Sequence, residues 1–212
     1  MTELHAWGML TALGAFHGVN PGMGWLFAVA LGMQERRRGA VVAALGPLGL
    51  GHALAVAAAL TLAATAGAVL SASALRWIVA ACLLTLGGQR LVRHAHPRWA
   101  SMRVGFNRLT LWSFLMASAH GAGLMVVPIF LGMTDSPAPA HACHTAVATS
   151  GTMWTAIFAT ALHATGYLAV TAIVSVVVFE KFGVGLLRKA WLNLDVMWAA
   201  ALIVTGVLTV LI

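Results

Sequence analysis

Charged residues are scarce in this sequence, and their scarcity limits the class of protein. Of the 212 residues only 8% are charged, whereas 61% are hydrophobic. Soluble globular proteins carry roughly 25% charged residues, so a chain this poor in charge lies outside that class. We expect an integral membrane protein.

The sequence has only two cysteines, and it lacks the common catalytic motifs. Cys82 is predicted within a span and Cys143 in an external loop, so the two cysteines do not indicate a disulfide. The sequence has no P-loop, dinucleotide fingerprint, Gly-x-Ser-x-Gly elbow or HExxH motif. Nothing therefore indicates ATP-driven pumping or hydrolase chemistry, and we expect a transporter rather than an enzyme.

Six apolar stretches are long enough to cross a bilayer, since a helical span requires about 20 apolar residues. They cover approximately residues 6–33, 41–70, 75–92, 109–133, 150–178 and 191–212. No basic segment precedes the first stretch, so we expect it to be retained rather than cleaved as a signal peptide. The sequence predicts an all-α membrane protein with six transmembrane helices.

Basic residues are concentrated on one side of these predicted spans. The connections at 34–39, 90–108 and 180–189 hold 11 of the 12 basic residues, and Arg76 falls on the other side. The positive-inside rule makes the basic side cytoplasmic and places both termini outside, as in a multi-pass protein of a bacterial-type inner membrane. The net charge of +7 then reflects topology and contact with lipid headgroups, and we expect no nucleic-acid partner.

The second half of the chain matches the first half in order. Three segment pairs correspond: "AFHGVNPGMGWLFAVALGM" (15–33) with "SAHGAGLMVVPIFLGM" (118–133), "GHALAVAAAL" (51–60) with "LHATGYLAVT" (162–171), and "RWIVAACLLTLG" (76–87) with "DVMWAAALIVTG" (195–206). We predict two three-helix repeats, residues 1–92 and 109–212, joined by a basic cytoplasmic linker at 93–108. An odd number of spans per repeat gives the two copies inverted orientations.

The first helix of each repeat is predicted to be broken. "VNPG" and "GAG" place helix-breaking or small residues in the middle of apolar stretches: Gly18, Asn20, Pro21, Gly22, Gly121 and Gly123. Irregular backbone inside a bilayer is tolerated where it lines a cavity or a ligand, so these breaks predict a binding site near the membrane midplane. Close helix packing through small residues is the alternative interpretation.

Four histidines occupy matched positions in four predicted spans. His17 corresponds to His120, and His52 corresponds to His163. An ionisable side chain inside the bilayer usually faces the bundle interior and marks function, although a helix–helix hydrogen bond is the alternative for any one of them. Imidazoles without carboxylates suit zinc, nickel, cobalt or copper better than magnesium or calcium. We predict a transition-metal site formed by all four.

Other polar residues have predicted accessory roles. Arg76 and Asp195 occupy matched positions in the third span of each repeat, and we expect gating or proton coupling there, with interfacial anchoring as the alternative for Arg76. His141, Cys143 and His144 are candidate ligands of an accessory metal site in an external loop.

This arrangement resembles the lysine exporter (LysE) superfamily, small transporters with two inverted three-span repeats that include amino-acid exporters and metal-handling branches. "VNPG" at 19–22 is similar to the Pro-Gly break of the amino-acid exporters. The His-Gly pairs at 17–18 and 120–121 are similar to the histidine-bearing spans of the nickel and cobalt branch, although no HxxxxD motif follows either histidine. The resemblance implies the fold and a midplane site, and it leaves the substrate open.

The function predicted from these features is secondary transport of a transition-metal cation. Because metal binding requires neutral imidazoles, proton coupling is expected. Two alternatives remain: a redox protein that holds haem b between paired histidines, and an exporter of amino acids or small solutes in which the histidines act as gates. The expected partners are membrane lipid and the metal ion. The direction of transport and the formation of a homodimer stay open.

Overall fold

The described part of the computed structural model, residues 3–92, 105–134, 145–182 and 191–211, is helical and contains no β-strand. The helices are α1 (Glu3–Val19), α2 (Trp25–Glu35), α3 (Arg38–Gly67), α4 (Ala72–Val92), α5 (Phe106–Ala119), α6 (Ala122–Thr134), α7 (Thr145–Val177) and α8 (Trp191–Leu211). A 3-10 turn (Pro21–Met23) separates α1 from α2, and a π-helical turn (Val178–Phe182) extends α7. The predicted all-α class is confirmed.

Several of these helices could cross a membrane. Among the described residues three helices are long and apolar enough, Arg38–Gly67, Ala72–Gln89 and Thr152–Phe182, and the bent pair α5–α6 makes a fourth if it is one span. Their outer faces carry exposed apolar side chains such as Leu62, Trp77 and Ile173, which suit contact with lipid rather than water. These features fit a membrane protein, whereas the count of six spans remains a prediction.

Both predicted helix breaks are confirmed. Between α1 and α2, the Asn20 side chain accepts a hydrogen bond from the Gly22 amide (2.9 Å), and Pro21 begins the 3-10 turn without an amide to donate. Gly24 then adopts φ 149°, a conformation that L side chains rarely adopt. Between α5 and α6 the axis bends by 62° at residues 120–121, where Gly121 has φ 71°. Local sequence therefore explains both breaks.

Glycines bring α1 and α7 into direct backbone contact. A Cβ at Gly14 would overlap the carbonyl oxygen of His163, and a Cβ at Gly18 would overlap that of Tyr167. Such close approach is the common use of small residues between membrane helices. Because higher numbers in α1 meet higher numbers in α7, the two helices run parallel.

The helices α3 and α5 form a second parallel pair, and α4 and α8 form an antiparallel one. Gly46 lies beside Phe106, and Gly51 meets the Thr110 carbonyl farther along both helices. In the other pair Gly87 meets Ile203, whereas Gly206 meets Leu84. Each pair joins a helix from the first half of the chain to one from the second half.

Ion pairs lie at one end of the described bundle. Arg38 at the start of α3 contacts Glu180 beyond the end of α7 (3.1 Å), and Arg37 contacts Glu35 (2.6 Å). All four side chains are largely exposed, so the pairs add little stability. The Arg38–Glu180 pair shows that the start of α3 and the end of α7 meet, which makes these two helices antiparallel.

Candidate histidine site

Three of the four predicted histidines converge inside the bundle. His17 on α1, His52 on α3 and His163 on α7 are each fully buried. Their ring centroids are 5.0 Å apart for His17 and His163, 5.3 Å for His52 and His163, and 5.6 Å for His17 and His52. We call these three residues the histidine cluster.

Two rings of the cluster are tethered through Nδ1 to backbone carbonyls. His17 Nδ1 lies 2.6 Å from the Leu13 carbonyl oxygen, and His163 Nδ1 lies 3.2 Å from that of Leu10. Because a carbonyl only accepts, Nδ1 must carry the proton in each neutral ring, which leaves an unprotonated Nε2. Both Nε2 atoms are buried, and neither has a hydrogen-bond partner among the described residues. Histidines that ligate metals are commonly oriented by this kind of tether.

His52 is the untethered member of the cluster. Both of its ring nitrogens are buried, and the described part of the chain offers neither a hydrogen-bond partner. The ring stacks on that of Tyr167, with centroids 3.9 Å apart and planes 9° apart, and lies nearly parallel to His163 at 7°. Buried polar atoms without partners are rare and costly. The cluster therefore presents three nitrogen lone pairs, which a metal ion or a proton would satisfy, and one N–H of His52, which needs an acceptor.

His120 is buried nearby and reaches the cluster through Trp198. Its Nδ1 lies 2.8 Å from the Met116 carbonyl oxygen, the same four-residue tether that holds His17. The Trp198 ring lies 4.8 Å from His17 and 5.8 Å from His120, and its Nε1 donates to the His120 carbonyl (2.9 Å). The predicted group of four is thus a cluster of three with the fourth histidine beside it.

The described side chains include no group of three or more His, Cys, Asp or Glu residues arranged to hold a metal ion. The ring orientations also oppose a metal site in this arrangement. Nitrogen lone pairs lie in the plane of an imidazole ring, and the stacked rings of His52 and His163 direct theirs into separate, nearly parallel planes. A metal bound by the cluster would require His52 to turn.

The residues of the two breaks divide between local turn formation and helix packing. Asn20 and Pro21 shape the turn, while a side chain added at Gly22 would point towards the His120 ring. Gly18 faces the backbone of α7, and Gly123 in the first turn of α6 faces Ala59 and the Ala55 carbonyl of α3. Of the glycines predicted to line the site, Gly22 therefore lies beside a histidine and Gly18 serves close packing.

The accessory predictions largely fall beyond the described side chains. Arg76 is half-buried in α4. The Asp195 side chain lies outside the described residues, and so do His141, Cys143, His144 and most of the 93–108 linker. The proposed gating and accessory-metal roles therefore stay predictions.

Two aromatic residues of the site were not identified from the sequence, Tyr167 and Trp198. Tyr167 is the only tyrosine in the chain and follows His163 by four residues, which places both on one helix face. That face continues with two more fully buried polar side chains, Thr171 and Ser175. In the sequence, this face is visible as a polar residue at every fourth position of an apolar stretch, from His163 to Ser175, and that pattern could have identified Tyr167.

A cavity of about 850 Å³ lies between α3, α4, α6 and α7. Its lining includes Ala57 and Thr61 on α3 and Ala156 and Thr160 on α7. Thr160 is three residues from His163, and Ala57 is five from His52, so the cavity extends to within about one or two helical turns of the cluster. It lies away from the Arg38–Glu180 end of the bundle.

None of the protein-family models, curated proteins or solved structures compared with the chain matches it. The resemblance to the lysine exporter superfamily therefore rests on the quoted sequence features.

Proposed function

We propose that this chain is a secondary transporter for a transition-metal cation of the zinc, nickel, cobalt or copper class. The observation that carries the proposal is the histidine cluster, three fully buried imidazoles. Among the described residues, Nε2 of His17, Nε2 of His163 and both ring nitrogens of His52 have no hydrogen-bond partner. Three imidazoles are a sufficient protein ligand set for a four-coordinate metal with one exchangeable position. An ion passing through needs such an open position.

Coordination in this proposal begins with His52. The tethered rings of His17 and His163 hold their Nε2 atoms in place, whereas His52 forms no hydrogen bond with the described residues and turns out of its stack to complete the site. Protons compete for the same lone pairs, so protonation of the rings expels the metal and metal entry expels protons. Proton coupling follows from the ligand type.

The cavity supplies an approach to the cluster. It occupies the end of the bundle away from Arg38 and Glu180. If the basic end is cytoplasmic, as the positive-inside rule requires, the cavity opens towards the outside. The proposed topology has both termini outside, in an inner membrane of bacterial type.

Helix packing supports the proposed pair of inverted three-helix repeats. The predicted repeats contain α1–α4 and α5–α8. Helix α1 of the first repeat runs parallel to α7 of the second, and helix α5 of the second runs parallel to α3 of the first. Exchanging the two repeats converts one contact into the other, and it converts the α3–α7 and α4–α8 contacts into themselves. This reciprocity is what a pseudo-two-fold axis produces, and rocking of one repeat against the other would give alternating access.

The alternatives fit the geometry less well. In bis-histidine haem ligation the porphyrin lies between the two rings, and the cluster rings contact one another directly. Export of an organic solute leaves the unpartnered nitrogens of the cluster unexplained.

Metal titration of the purified protein tests the proposal. We expect one zinc, nickel, cobalt or copper ion to bind per chain, and we expect His52→Ala to abolish binding. His5→Ala is the matched control, because His5 is an exposed histidine in the first turns of α1. Equal metal binding by wild type and His52→Ala would remove the cluster as the site. A strong Soret absorbance band would favour the haem alternative instead.

Cysteine labelling tests the proposed topology. In a chain carrying Cys82→Ser and Cys143→Ser, a cysteine placed at Ala95 should be protected from an impermeant reagent in intact cells, because the 93–108 linker is cytoplasmic. A cysteine placed at Thr2 should react. The reverse pattern would invert the topology.

A further inference from the structure

Tyr167 connects the histidine cluster to the first helix break. Its ring stacks on His52 with centroids 3.9 Å apart. Its hydroxyl donates to the Met23 carbonyl in the 3-10 turn (2.6 Å) and lies in the space that Gly24 leaves open. One fully buried side chain therefore touches both a candidate ligand and the irregular backbone.

Trp198 connects the cluster to the second helix break in a similar way. Its ring lies edge-on to His17 at 4.8 Å and is stacked against Phe16 at 5.0 Å. Its Nε1 donates to the carbonyl of His120, the residue that directly follows the end of α5 (2.9 Å). An N–H or O–H donor on an aromatic ring thus satisfies a freed carbonyl at each break.

We propose that Tyr167 and Trp198 are gate residues, each of which couples an occupied histidine cluster to the opening of one helix break. This inference rests on the proposed function. When His52 turns to bind the ion, it leaves the Tyr167 ring, and the hydroxyl no longer has a fixed position beneath Met23. When the tethered His17 ring binds the ion, the ion displaces the Trp198 ring that lies edge-on to it, and the His120 carbonyl is released.

The position of Tyr167 suits this role. Along α7, Tyr167 lies one turn beyond His163 towards Glu180, on the side of the cluster away from the cavity. Thr171 and Ser175 continue the buried polar face in the same direction. Release of Tyr167 would therefore join the cluster to a polar path that leads to the basic end.

Hydrogen exchange on the full-length protein in detergent or nanodiscs tests the two connections separately. The reporters are amides bonded within each break: Met23, Gly24, Phe27 and Ala28 in the first, and Gly121 and Met125 in the second. Tyr167→Phe should accelerate exchange in the first group about fivefold or more, because a buried carbonyl loses its donor. Trp198→Phe should do the same in the second group only.

Thr209→Val is the matched control. Thr209 Oγ1 donates to the Thr205 carbonyl (2.7 Å), which is also a hydroxyl-to-carbonyl bond of a buried side chain, but it lies towards the end of α8, outside both breaks. We expect this variant to leave exchange at both groups of amides within about twofold of wild type. If Tyr167→Phe and Thr209→Val give the same pattern, Tyr167 does not hold the first break.

Adding zinc tests the coupling between the histidine cluster and the helix breaks separately from the proposed function. In the wild type, added Zn²⁺ should accelerate hydrogen exchange at both breaks. In Tyr167→Phe it should have little further effect at the first break. This variant should still bind zinc within about threefold of the wild-type affinity. Zinc that binds without changing exchange overturns the coupling and leaves the transporter proposal standing. If calorimetry shows no binding of any of the four metals, the proposed function fails, and the zinc-free exchange of the two variants still decides whether these donors hold the breaks.

Discussion

The two helix breaks begin from the same His-Gly pair and end as different structures. In the first, α1 continues through His17 to Val19, and the chain then passes through a capped 3-10 turn before α2 begins at Trp25. In the second, α5 ends at Ala119, so His120 is itself the residue at which the chain bends. The first break is a short segment, whereas the second is a single sharp corner.

This difference decides where each histidine ring lies. His17 lies in the regular last turn of α1, which is held against α7 by Gly14 and Gly18, and its ring enters the cluster. His120 lies at the corner, where Trp198 binds its carbonyl and packs against its ring. The position of the His17 ring is therefore set by the packing of α1 against α7, whereas the position of the His120 ring is set by the bend between α5 and α6.

The largest expected effect concerns metal binding. His17→Ala should abolish measurable binding, because it removes a cluster ligand, whereas His120→Ala should weaken binding about tenfold, as loss of a neighbouring supporting group does. Isothermal titration with zinc measures both. Complete loss in both variants would instead support the four-histidine site predicted from sequence.

Backbone conformation should give the next largest difference. Gly24→Ala should lower the free energy of unfolding by about 3 kcal/mol, because φ 149° is unfavourable for alanine and the new methyl group would meet the Tyr167 hydroxyl. Gly121→Ala should cost about 1 kcal/mol, since φ 71° is closer to a left-handed conformation that alanine can adopt and the nearest atom is a terminal methyl carbon of Leu202 rather than backbone. Unfolding in mixed micelles provides the measurement. Equal losses would mean that the backbone is equally constrained at the two breaks.

The smallest effect should come from the cap of the first break. Asn20→Ala removes the acceptor for the Gly22 amide and should cost about 1 kcal/mol, the usual value for a lost cap. Ser118→Ala is the comparison at the second break, where the exposed serine contributes its carbonyl rather than its side chain to the turn. We expect that change to stay within about 0.5 kcal/mol of wild type. A larger loss for Ser118→Ala would contradict this assignment of the turn hydrogen bonds.

Much of the helical organisation was predictable because it depends on neighbouring residues. The predicted stretch at 41–70 corresponds to Arg38–Gly67, and the stretch at 75–92 corresponds to Ala72–Val92. Both breaks fall where proline, asparagine or glycine interrupts an apolar run. The site was predictable only in part: the four histidines were identified, but Tyr167 and Trp198 were not, because aromatic residues in membrane helices commonly belong to packing or to the interface.

The sequence by itself determined that this chain is helical, rich in lipid-compatible surface, and interrupted at two matched places. Those properties follow from composition and from the local conformational limits of glycine and proline. Only the tertiary structure decided that His17, His52 and His163 meet while His120 lies behind Trp198. That outcome depends on contacts between distant segments, such as Gly14 against His163 and Tyr167 against Met23, and helical periodicity specifies which face of a helix is buried but not which partner covers it.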